Sequence, residues 1–136
     1  MTEAQTNAIL TAIVEKAPLL EDALKYSGGT DTVVDVARGV LEGKYQLWTA
    51  PNTVSVTQVV QHPQLKECHV FLIAGKLAEV ERMRPSIEDW AKRQGCSRIL
   101  GYGRRGWERV MERAGYKFQS VILAKELSDG KQEQAD

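Results

Sequence analysis

Glu67 and His69 stand two residues apart, and at that spacing on a strand both side chains leave from the same face. A carboxylate beside an imidazole can pass a proton near neutral pH, because the carboxylate orients the ring and stabilises its charged form. These two residues, with His62 nearby in the sequence, are the candidate acid/base groups of the chain. The alternative is an ordinary surface placement of both near the start of a strand. Other chemistries are disfavoured in the same stretch. Cys68 and His69 are neighbours, so on a strand they point to opposite faces and form no thiol–imidazole pair. No fourth ligand stands at zinc-like spacing from His62, Cys68 and His69, and no metal is expected. Cys68 and Cys96 make no CxxC pair and read as two free, buried thiols.

A second group is basic. Arg98, Arg104, Arg105, Arg109, Arg113 and Lys117 are offset in that stretch only by Glu108 and Glu112. On a helix, Arg105, Arg109 and Arg113 form one stripe. Such a patch can meet an anionic ligand, or it is simply a solvated helix face. The whole chain is neutral, with 18 basic and 18 acidic side chains, which argues against a dedicated nucleic-acid binder.

These groups must be held by one domain, since 136 residues is the size of a single folding unit. A hydrophobic fraction of 43% with 26% charged residues excludes fibrous and wholly disordered classes. The longest apolar run, at 70–74, is a strand's worth and too short to span a membrane. Residues 1–20 lack a basic start followed by a continuous apolar stretch, so the expected location is the cytoplasm.

The first third of the chain is helical in pattern. Ile9, Leu10, Ile13, Val14 and Ala17 share one helix face. Pro18 then suits the first turn of a second helix with Leu19, Leu20, Ala23 and Leu24 as its stripe. Thr30 or Asp31 can cap a third, which buries Val33, Val34, Ala37, Val40 and Leu41. The period then changes to that of strands at 45–49, 53–61 and 67–74, joined by Pro51-Asn52 and His62-Pro63-Gln64 turns as an antiparallel meander. After Gly75 a helix carries Leu77, Val80, Ile87, Trp90 and Ala91 on one face, kinked or divided at Pro85. A strand at 98–102, a helix at 104–113 closed by Gly115, and a last strand at 118–125 follow. Residues 128–136 read as a disordered polar tail, leaving 1–127 as one domain. A strand, helix and strand after a meander implies a parallel crossover. The expected fold is therefore α/β, a mixed sheet with helices on both faces.

This order resembles the GNAT acetyltransferase superfamily over roughly residues 30–127. Its most specific part is the run Gly101-Tyr102-Gly103-Arg104-Arg105-Gly106-Trp107-Glu108-Arg109-Val110-Met111-Glu112-Arg113-Ala114-Gly115-Tyr116, similar to the family's strand, helix and closing Gly-aromatic pair. The Arg-x-Gly-Trp-Glu-Arg form resembles GNAT-like proteins encoded by bacteriophages. The resemblance implies a gap between two parallel strands that holds the pantetheine arm of acetyl-CoA. It also implies a loop whose amides, at a helix N-terminus, meet the pyrophosphate. Carried onto this chain, the cofactor positions are Ile73, Gly75, Lys76 and Leu77, with Arg104 at the family's asparagine position. The family's Arg/Gln-x-x-Gly-x-Gly/Ala loop is shortened here. The family's general-acid tyrosine falls on Met111, which has no proton to give, so Tyr102 or Tyr116 would have to substitute.

Two functions follow from the resemblance. One is an acetyl-CoA-dependent transfer to an amine acceptor, with catalysis mostly by positioning. The other is a catalytically silent GNAT-like protein, phage- or virion-associated, that works through protein partners. No membrane is implied by either.

Overall fold

The computed structural model describes residues 1–102 and 105–128. They divide into two compact units, Met1–Arg105 and Gly106–Asp136. The expected residue Arg104 and nearly all of the expected tail at 128–136 lie outside the described residues.

The first unit opens with α1, Glu3–Leu24, where Thr2 and Gln5 form a reciprocal capping box. The break expected at Pro18 does not occur, and the two helices read from the pattern are one. An internal proline costs about 3 kcal/mol. Ile13 on one side of it and Leu20 and Ala23 on the other are all buried, and a large buried apolar side chain contributes about 1.5–3 kcal/mol. Continuing the helix is the better outcome. The same holds for Pro85 inside α3, Leu77–Arg93, which runs unbroken past it with Val80, Ile87 and Ala91 buried.

The helix α2, Val33–Leu41, is capped by Thr32 and not by Thr30 or Asp31, with Asp35 completing the box. Its buried face is Val36, Gly39 and Val40, while Val34, expected inside, is exposed. Gly39 has a packing reason: a Cβ there would lie 2.6 Å from Cε2 of Tyr45.

Four strands follow the expected positions closely: β1 Gln46–Ala50, β2 Thr53–Gln61, β3 Lys66–Gly75 and β4 Arg98–Gly101. They form one sheet in that order, antiparallel for the first two pairings and parallel between β3 and β4. Val56 pairs with Leu72 and Thr57 with Val70, so Phe71 is an extra residue, a bulge in β3. The bulge inverts the alternation along β3. Before it, Cys68 and Val70 pack towards α3 with Ile87 and Ala91. After it, Leu72 and Ala74 pack towards α1 and α2, with Ile13, Leu20, Val36, Val54 and Val56. The central strand is thereby buried on both faces, and the result is the expected α/β sandwich of helices around a mixed sheet.

A 3-10 turn, Arg105–Trp107, leads to α4, Glu108–Arg113, in the second unit, shorter than the helix expected at 104–113. Gly115, at φ 93°, ends it as expected, and the Tyr116 amide donates to the Met111 carbonyl at 3.0 Å. The strand expected at 118–125 is not formed: among the described residues this segment joins no ladder, and Phe118, Val121, Ile122 and Leu123 are exposed. β-branched content favours an extended backbone, but a strand also needs a neighbour to take its amides and carbonyls.

Gly75 ends β3 at φ 131°, with the Asn52 carbonyl oxygen and the Thr53 Cα packed where a Cβ would stand. Gly28 is also at positive φ, 76°, but faces open space. Gly28→Ala should cost about 1 kcal/mol from backbone strain alone. Gly75→Ala should cost about 2–4 kcal/mol, because overpacking of about 1–3 kcal/mol is added. Urea denaturation of the two variants checks the order; equal losses would contradict the packing assigned to Gly75.

Candidate functional site

The sheet face opposite α3 carries Glu67 and His69 on β3, and the parallel register sets Arg98 beside Glu67. His62 begins the turn after β2 and returns towards the same carboxylate, its amide donating to the Leu65 carbonyl at 2.8 Å. Glu67 Oε1 lies 2.7 Å from His62 Nε2 and 3.0 Å from His69 Nε2, while Oε2 accepts from Arg98 Nε at 2.5 Å. The shared face expected for Glu67 and His69 is therefore present, but Glu67 is not at the surface. Its side chain is only 5% exposed, against 18% for His69 and 44% for His62, so the cluster opens to solvent at His62.

A buried carboxylate without partners would be costly, and three donors offset that cost. The hydrogen bond from His69 is the largest influence, with those from Arg98 and His62 behind it, and together they outweigh burial and lower the Glu67 pKa to about 2. Glu67 is thus a fixed negative charge and a poor proton acceptor near neutral pH. The proton-carrying member must be a histidine. With Nε2–H of His69 directed at Glu67, Nδ1 is the free lone pair, and the Tyr102 hydroxyl lies 3.4 Å from it, long for such a bond. Tyr102, His69 and Glu67 form a line of hydroxyl, imidazole and carboxylate in which the carboxylate orients the ring.

Tyr102 follows β4 directly, where the parallel pair separates. The Tyr102 amide donates to the Val70 carbonyl at 3.0 Å, the last bond across the pair among the described residues. β4 ends at Gly101, opposite Val70, whereas β3 continues to Gly75. From 71 to 75, β3 has only β2 beside it among the described residues, and its other edge is open.

The four described cofactor positions from the sequence lie along or just past this open edge. Ile73 packs on the α3 side of the sheet, and Gly75 closes the strand. The Lys76 amide is already taken by Thr53 Oγ1 at 2.9 Å, so it is not free for a phosphate. Leu77 is the first residue of α3, whose N-terminus has no side-chain cap; the first amides of a helix have no partner within it.

Glu79, in the first turn of α3, is buried and was not foreseen. Its Oε1 accepts from the Asn52 amide at 2.9 Å and the Thr53 hydroxyl at 2.8 Å, which holds the β1–β2 turn onto the helix. The Thr53 bond is the main cause of its lowered pKa. The only signal in the sequence is an acidic residue at the third helical position, which is common in first turns for dipole reasons alone. Cys68 is buried, which pushes its thiol up to about 11, and burial also raises Cys96; neither is a ready nucleophile.

No protein-family profile matches the chain. No curated protein matches it. Solved structures do. The chain is similar to ribosomal-protein-alanine N-acetyltransferase from Brucella melitensis biovar Abortus 2308, at 14% identity and a TM-score of 0.59, covering 85% of this chain and 95% of that one. It is similar to an acetyltransferase from Trypanosoma brucei, at 9% identity and a TM-score of 0.57, covering 82% and 94%. Glucosamine-6-phosphate N-acetyltransferase from Arabidopsis thaliana also matches, at 12% identity and a TM-score of 0.54, covering 77% and 88%. At these identities the likeness is one of fold. The chain has the GNAT-like fold that its order of elements implies.

Glu67 ionisation gives a sign for acid stability. Its folded-state pKa of about 2 lies below its ordinary 4.5, so its contribution is present above pH 4.5 and is lost as pH falls towards 2. Glu67→Gln should remove that part of the pH dependence. The check is the urea midpoint of both proteins between pH 6 and pH 2, at about half-unit steps; parallel profiles would show that Glu67 is not held ionised by its neighbours.

Proposed function

We propose that this protein transfers an acyl group from an acyl-coenzyme A to an amine. The observation that carries the reading is the open edge of β3 between Phe71 and Gly75, which ends at the uncapped N-terminus of α3. An extended pantetheine chain laid there finds strand amides and carbonyls in place of a further strand. Its diphosphate would reach the amides of Leu77 and Ala78, where the helix dipole favours an anion. The Lys76 ammonium adds charge without needing its own amide. That several of the structural neighbours are named acetyltransferases supports the same chemistry.

The reaction needs the acceptor amine deprotonated and the leaving thiolate protonated. His69 Nδ1 accepts the amine proton, and Glu67 stabilises the imidazolium through Nε2–H. The amine nitrogen bonds to the thioester carbonyl carbon, the carbon–sulfur bond breaks, and the thiolate leaves. Tyr102 gives its hydroxyl proton to the sulfur and regains one from His69. In this way Tyr102 takes the place left vacant by Met111.

A catalytically silent protein of the same fold is the second reading, favoured by Glu79, whose carboxylate lies in the first turn of α3 where a diphosphate would bring more negative charge.

Titration calorimetry with acetyl-CoA should show one site in the micromolar range, about 8 kcal/mol, with coenzyme A similar and ADP weaker. No heat and no thermal shift at millimolar ligand would leave the silent protein as the function. In an active preparation, Tyr102→Phe should lower kcat by about a hundredfold with KM little changed. Unchanged kcat would assign Tyr102 to packing.

A further inference from the structure

His62, Glu67 and His69 converge beyond what the acyl-transfer reading uses, since His62 has no part in it. The two Nε2 atoms and the nearest Glu67 oxygen all lie within 4.8 Å of one another. They come from the turn after β2 and from β3. We propose that these three residues bind one divalent transition-metal ion of the zinc class, against the expectation drawn from the sequence that no metal is held.

The donor set points to the ion. Two imidazole nitrogens and one carboxylate oxygen suit zinc, cobalt or nickel, and are poor for calcium or magnesium, which take oxygen ligands. Tetrahedral ligands about 2.0–2.2 Å from zinc stand roughly 3.3 Å apart. The present separations of 2.7 Å and 3.0 Å from the carboxylate oxygen are a few tenths of an ångström short of that. The two imidazole nitrogens are held only within 4.8 Å of each other, so the rings must also turn towards one another to enclose the ion, and His62, in a turn with its side chain 44% exposed, has room to do so. Three protein ligands leave a fourth position, and the exposure of His62 places it towards solvent.

The surrounding groups already do what outer-shell partners of a metal do. Arg98 holds Glu67 Oε2 and leaves Oε1 for the ion. Ligation through Nε2 puts the His69 proton on Nδ1, where the Tyr102 oxygen can accept it. With Nδ1 protonated, His69 could not serve as the base of the acyl-transfer reading, so a bound ion and that activity exclude one another at this site. Cys68, between the two strand ligands, points to the other face and takes no part.

The test uses the full-length, tag-free chain after dialysis against chelator, titrated with zinc chloride by calorimetry and with cobalt chloride by visible absorption. The expected result is one ion per chain with micromolar or tighter affinity, and a cobalt spectrum of four- or five-coordinate type. His62→Ala, at the exposed ligand where folding is least at risk, should weaken zinc at least about tenfold, a step of 1.4 kcal/mol. His69→Ala should do the same, and zinc should raise the melting temperature of the unaltered chain but of neither variant. Cys68→Ser and Cys96→Ser should bind as the unaltered chain does. Absence of stoichiometric binding at about 100 μM zinc, far above a micromolar dissociation constant, would overturn the proposal. So would full affinity in His62→Ala, or loss of binding in either serine variant.

Discussion

The buried carboxylate of Glu67 is the interaction on which the site depends. It lies where two parallel strands and a turn meet, and it accepts from His69 of β3, His62 of the turn and Arg98 of β4. A charge with so little contact with water must be partnered, and removing one donor leaves the others facing an incompletely satisfied group. The short pairing of β3 with β4 covers only Glu67 to Val70 on the β3 side, and the Glu67–Arg98 ion pair stands at its start. Charge and ladder therefore hold the strands together over the same residues, and beyond them β3 is free on one edge among the described residues.

The bulge at Phe71 is the second constraint. A regular β3 would present Cys68, Val70, Leu72 and Ala74 to one helix layer and leave the other layer packed on His69, Phe71 and Ile73. The inserted residue gives each layer its share: Cys68 and Val70 to α3, Leu72 and Ala74 to α1 and α2. It also falls at the position where β4 stops. The same residue thus marks the change of face and the start of the open edge, and Gly75 ends that edge against the β1–β2 turn. Function of the kind proposed needs both, because the strand must be anchored in the core to offer its edge to a ligand.

Much of this was legible in the sequence. The strands at 53–61 and 67–74 follow from β-branched runs between turn residues, and the observed β2 and β3 differ from them by one residue at most at each end. The shared face of Glu67 and His69 follows from the period of two. The burial of Glu67 does not, because it depends on Arg98 and His62, which are brought to it by the parallel register and by a turn. Pro18 misled for a related reason, and Pro85 does not divide its helix: a local rule about proline was outweighed by core contacts made on both sides of each residue. Residues 118–125 show the reverse case, a local preference for extended backbone that no pairing partner fulfils among the described residues. Glu79 carried no distinguishing signal, since its role depends on a turn more than twenty residues away.

The open edge of β3 is the central claim, and backbone amide spectra of the isotopically labelled chain test it most directly. Adding acetyl-CoA should shift the amides of Phe71 to Ala78 first and most, together with Tyr102, and leave α1 and α2 nearly unmoved. Shifts confined to other elements, or none at saturating ligand, would contradict the assignment of that edge as the cofactor site.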